Sequence, residues 1–155
     1  MKGKPEVLNA LAKMLKEEIG ALNQYLLHAE ICDNWGYPKL AEATKNLSIA
    51  EMKHAEALIE RILFLEGMPN LSEIPKLRIG ETVPQQLEND LALELGAVAD
   101  YNAAISAARE ADDQGSAELL KKILLDEENH VDQLETQLDL IKSIGLENYL
   151  QQKLG

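Results

Sequence analysis

The stretch that decides the fold is EMKHAE, residues 51–56, together with DEENH, residues 126–130. Each holds a Glu-x-x-His spacing, Glu51 with His54 and Glu127 with His130. On an α-helix such a pair lies about 60° apart at ~100° per residue, so both side chains share one face. Around Glu51 and His54 that face carries Leu40, Leu47, Leu58, Ile62 and Leu65. Around Glu127 and His130 it carries Ile123, Val131, Leu134, Leu138 and Ile141. The two motifs therefore interrupt apolar stripes, where an amphipathic helix would ordinarily bury leucine.

Working outward, Glu18 is flanked by Leu11, Met14, Leu22 and Tyr25, and Glu94 by Leu87, Val98, Tyr101 and Ile105. Four segments thus aim a carboxylate inward. Their limits follow from Gly and Pro. The spacing predicts helices over about 5–34, 38–66, 84–111 and 116–143, with Ser116 as a plausible N-cap, and a short fifth helix over 146–153. Trp35-Gly36-Tyr37-Pro38 and DDQG (112–115) are short turns, whereas GMPNLSEIPKLRIGETVP (67–84) is long. Short turns pair helices one and two, and three and four, as antiparallel hairpins. A helix of about 28 residues spans roughly 42 Å, and the long connection can reach about 53 Å when extended. It can therefore run the length of the bundle. The expected fold is all-α: a ferritin-like four-helix bundle with one long crossover, as a single domain over residues 1–155.

The two halves match at one offset of 76 residues: Glu18 falls on Glu94, Glu51 on Glu127, His54 on His130, Tyr25 on Tyr101 and Gly20 on Gly96. This reads as two related hairpins about a pseudo-twofold axis. Four buried carboxylates could not all stay ionised without compensation. Two divalent cations would balance them, and one imidazole per cation with carboxylate oxygens suits iron or manganese, with zinc still open. Dinuclear carboxylate bundles use one Glu from each of two helices and Glu-x-x-His from the other two. On that pattern Glu18 and His54 serve one cation, Glu94 and His130 the other, and Glu51 and Glu127 bridge. A single Glu-x-x-His in an acidic helix is ordinarily a solvated face; the recurrence at a common offset is what argues for metal.

Tyr25 and Tyr101 lie two turns from Glu18 and Glu94. They read either as core tyrosines or as hydrogen-bond donors to the ligand carboxylates that also supply electrons. Asp126 is placed to hydrogen-bond a ligand histidine across the bundle. His28 has no metal-type partners and reads as structural. Met52 points out of the bundle, as an interface side chain or as a thioether ligand to haem iron.

Composition narrows the partners. The net charge of −12 argues against nucleic acid. It would draw cations instead. No apolar run approaches the ~18 residues of a membrane span. Cys32 is the sole cysteine. With the polar start MKGKPEV this leads to the expectation of a cytoplasmic protein.

MKGKPEVL, NQYLLHA, SIAEMKHAE, IERILFLEGMPNL, LRIGE, DLALEL, DEENHVDQLETQLDLI and GLENYLQ together resemble bacterioferritins over nearly the whole chain. The resemblance implies a homo-oligomeric cage of 24 subunits, built of two-fold dimers, that stores ferric mineral. It implies a di-iron ferroxidase centre using O2 or H2O2, with Glu18, Glu51, His54, Glu94, Glu127 and His130 at its six ligand positions. It also implies haem b between two subunits, held by Met52 of each, and a ferredoxin-type reductant. Asn46 and Ala50 depart from relatives with His and Asp at an additional inner-wall iron site. Tyr101 and Gln133 depart from relatives with Leu and Trp. The rival readings are a rubrerythrin-like peroxidase, a manganese catalase, or a haem-binding helical bundle without oxidase activity. One cysteine does not allow the Cys-x-x-Cys iron domain that a rubrerythrin usually adds.

Overall fold

A computed structural model describes residues 1–155. The helices are α1 (Pro5–Asn34), α2 (Pro38–Phe64), α3 (Val83–Glu110), α4 (Gln114–Ile144) and α5 (Leu146–Gln151), and there are no strands. The ends follow local chemistry. Pro stands in the first turn of α1, α2 and α3, where its missing N–H costs nothing. Thr82 caps α3 by accepting from Gln85 N. The start of α4 differs from the sequence expectation. Asp113, not Ser116, is the cap. Its carboxylate accepts from both the backbone N–H and the hydroxyl of Ser116, and from Arg61 of α2. Ser116 is buried one turn inside. Gly145, at φ 85°, turns the chain from α4 into α5, a conformation that side chains resist.

α1 packs along α2 and α3 along α4, and α1 and α3 join the two hairpins. The crossover between α2 and α3 is pinned by polar contacts. Arg78 N donates to Gln24 Oε1, and Gly80 N donates to His28 Nε2, both at 3.0 Å. Gln24 Nε2 and His28 Nδ1 in turn donate to one oxygen of Asp90 on α3, each at 2.9 Å. All three side chains are buried. His28 is therefore structural, as read from the sequence, and it ties α1, α3 and the crossover together. Gly20 completes the fit, since a Cβ there would stand 2.6 Å from Pro75 Cγ.

The apolar core is in two parts. One gathers residues such as Leu11, Met14, Leu58, Ile62, Tyr101 and Leu120. The other gathers Cys32, Leu40, Leu87, Leu134 and Tyr149. Between them, at mid-height of all four long helices, lie six buried polar side chains: Glu18, Glu51, His54, Glu94, Glu127 and His130.

Candidate metal centre

Each donor arrives on a different turn of a long helix, and the bundle brings all six to one point. Ligating atoms of Glu18, Glu51, His54 and Glu127 lie within 4.8 Å of one another, and so do those of Glu51, Glu94, Glu127 and His130. Glu51 and Glu127 belong to both groups, which is the sharing expected of two bridging carboxylates. The imidazole centroids of His54 and His130 are 6.2 Å apart.

The hydrogen bonding shows whether cations fit. Glu18 Oε2, Glu51 Oε1, Glu94 Oε2, both oxygens of Glu127 and His54 Nδ1 are buried without a hydrogen-bond partner. His54 Nδ1 approaches Glu127 Oε1 to 2.9 Å, yet without the alignment of a hydrogen bond. Orphaned polar atoms in a protein interior are rare and costly. Here they converge, all of a type that binds a divalent cation, so the residues fit a dinuclear metal site.

Without cations the centre must hold protons. Burial and the charge of Glu18 push the Glu51 carboxyl well up, while contact with His54 offsets this in part. Burial and the contact with Glu94 likewise raise Glu127. For Glu94, burial alone would raise the carboxyl, but the close approach of Glu127 and the bonds with His130 and Tyr25 outweigh it and hold Glu94 low. Burial opposes charge on both imidazoles. The carboxylates facing them win, so His54 and His130 both favour the imidazolium. Two divalent cations could take the place of these protons.

Two phenols brace the outer carboxylates. Tyr25 donates to Glu94 Oε1 and Tyr101 donates to Glu18 Oε1, each at 2.5 Å. Burial and the adjacent carboxylates raise both phenols, so they stay protonated. Asp126, largely exposed on α4, accepts from His54 Nε2 at 2.9 Å. Met52 stands apart from the centre, 44% exposed on the outward face of α2, one turn after exposed Ile49.

A cavity of about 280 Å³ reaches Glu18 and Glu51 from outside. It is lined by Glu17, Ala21, Leu93 and Ala97 and bordered by Lys76 and Arg78 of the crossover. Burial and the neighbouring Asp100 carboxylate push the Glu17 carboxyl up to about 8. Sequence reasoning missed Glu17 and Asp90. For Asp90 the signal was available, since it precedes Glu94 by one turn on the same face.

Residues 8–144 match the family model of the ferritin-like domain. The chain is 47% identical to the bacterioferritin of Mycolicibacterium paratuberculosis over 149 residues, covering 96% of this chain and 94% of the relative. It is 46% identical to the bacterioferritin of Brucella melitensis, covering 96% and 92%, and 43% identical to that of Streptomyces coelicolor, covering 97% and 90%. The chain belongs to the bacterioferritin family. Membership supports iron storage as its role, and the carboxylate and histidine groups described above suit a metal-binding bacterioferritin. No helix of this bacterioferritin chain is long and apolar enough to cross a membrane.

Proposed function

We propose that the chain is a ferroxidase subunit of an iron-storing cage of 24 copies, acting in the cytoplasm. The observation that carries this reading is the pair of donor groups that share Glu51 and Glu127. Ferrous ions are the substrate. Glu18 and His54 hold one, Glu94 and His130 the other, and the two bridging carboxylates keep them close enough to react with one oxidant molecule. Each ferrous ion gives up one electron. Dioxygen with two protons becomes hydrogen peroxide, or hydrogen peroxide with two protons becomes two waters. Both routes yield two ferric ions. The anionic oxygens of Glu51 and Glu127 favour the more highly charged product. Tyr25 and Tyr101 hold Glu94 and Glu18 in place through their hydroxyls and are near enough to supply electrons. The cavity beside Glu18 gives ferrous ion a path lined partly by carboxylates.

Met52 suits the haem ligand role, because its thioether lies on an exposed apolar part of α2. Two copies facing one another across a two-fold axis would hold haem b between their methionines. When bound, haem would carry electrons from a ferredoxin-type reductant to the stored mineral.

The test is anaerobic addition of ferrous ion, then oxidant, to the purified protein, following ferric absorbance. Rapid oxidation that collapses in Glu18→Ala and His130→Ala supports the ferroxidase reading. Oxidation unaffected by both substitutions overturns it. Gel filtration tests the cage, which a dimeric elution volume would exclude.

A further inference from the structure

The pseudo-twofold relation makes each part of the centre comparable with its mirror image. The phenols are equivalent: both bonds measure 2.5 Å. The imidazoles are not. His54 Nε2 is held by Asp126 at 2.9 Å. The residue 76 positions before Asp126 is Ala50, whose side chain has no acceptor to offer. His130 makes its contacts through Nδ1, to Glu51, Glu94 and Glu127, and its Nε2 has no partner in the protein.

We propose that the two metal positions are unequal, the Glu18–His54 position binding a divalent cation more tightly than the Glu94–His130 position, because Asp126 fixes one imidazole while Ala50 leaves the other unsupported. The inference rests on the reading of the centre as a dinuclear metal site. A carboxylate on the far nitrogen of a ligand histidine fixes its tautomer and ring plane and raises its basicity, and losing such a partner ordinarily weakens metal binding about 10–100-fold. Asp126 is 65% exposed, so solvent screens it and the lower end, about tenfold, applies. The Glu94–His130 position therefore fills last and empties first. Glu17, beside Glu18 in the cavity and mirrored by Leu93, is a second difference on the same side. The test has to separate it from Asp126.

The probe is Co2+, which does not undergo the oxidation and reports its ligands in visible absorbance. The metal-free full-length protein is titrated at fixed pH, with calorimetry in parallel. The expected result is two steps of one equivalent per subunit, about tenfold or more apart in Kd. Anomalous diffraction at one equivalent should place the first cobalt between Glu18 and His54. Asp126→Ala should weaken the first step and Ala50→Asp should strengthen the second, each bringing the two together. Asp126→Asn, which retains an acceptor and drops the charge, should fall between wild type and Asp126→Ala. Residue 50 is only half-buried, and circular dichroism checks that Ala50→Asp folds. A single two-equivalent step in the wild type overturns the inference and leaves the dinuclear reading standing. So does an inequality that Ala50→Asp and Asp126→Ala leave unchanged, which would shift its origin to Glu17. Absence of any tight cobalt binding overturns the dinuclear reading itself.

Discussion

Tyr101 on α3 donates its hydroxyl to Glu18 on α1 across the seam between the two hairpins, so a ligand of one hairpin is held by the other. Without cations this bond satisfies one oxygen of a carboxylate whose second oxygen has no partner. Tyr101→Phe should therefore destabilise the metal-free protein by about 1–3 kcal/mol in urea unfolding, the cost of a buried acceptor left alone. Loading with a divalent cation should shrink the difference, because the metal then satisfies Glu18.

Cation binding should release protons. Glu51 and Glu127 keep their protons well above the ordinary carboxylate range, and His54 and His130 favour the imidazolium. Each must lose its proton to act as a ligand. Apparent affinity should thus rise with pH across the neutral range, and calorimetry in buffers of different ionisation enthalpy should show net proton release. Affinity that falls as pH rises would contradict the assignment.

The bridging positions place stability and binding in opposition. A carboxyl whose pKa is raised on folding adds no penalty below its unfolded value, near pH 4.5, and destabilises the metal-free fold increasingly as pH rises above it. Glu51→Gln resembles the protonated acid without that penalty. It should keep or raise the melting temperature of the metal-free protein at pH 7 while weakening both cation positions. Glu18→Ala should instead spare the Glu94–His130 position and leave about one equivalent of bound cobalt.

Gly20 and Gly96 are mirror positions with different surroundings. A Cβ at Gly20 would run into Pro75, whereas a Cβ at Gly96 meets nothing within 4 Å. Gly96→Ala should stabilise the protein by about 0.5–1 kcal/mol through helix propensity. Gly20→Ala should lower the melting temperature and loosen the crossover, seen as faster amide exchange at Arg78 and Gly80.

Asp90 accepts from both Gln24 and His28 beneath the crossover. Asp90→Ala leaves two buried donors unmatched and should cost about 2–4 kcal/mol, while the six candidate ligands stay in place. Cobalt stoichiometry measured below the melting temperature should be unchanged.

The bundle and the meeting of the six polar residues were legible in the sequence because both rest on spacing. Leucines at helical period set the inward face, and Glu51, His54, Glu127 and His130 stand on that face where apolar residues belong. What spacing could not show is how capping and latching groups choose among equals. Asp113 and Ser116 are both good N-cap residues, and Asp113 takes the cap with Ser116 as its donor, while Arg61 of another helix binds both. His28 gave no hint of Asp90 or Gly80, since those partners come from a different helix and an irregular segment. The bond from Asp126 to His54 was foreseeable as a reach across helices, but its missing counterpart at Ala50 appears only when the two halves are laid over each other.

Because the crossover is the one covalent link between the hairpins, and each hairpin brings three of the six converging side chains, a cation pair would act as a clasp between two half-proteins. Removing the ions with a chelator should do more than silence chemistry. The two halves should begin to breathe along the seam where α1 meets α3, and a store that gave up its last metal would become a softer particle.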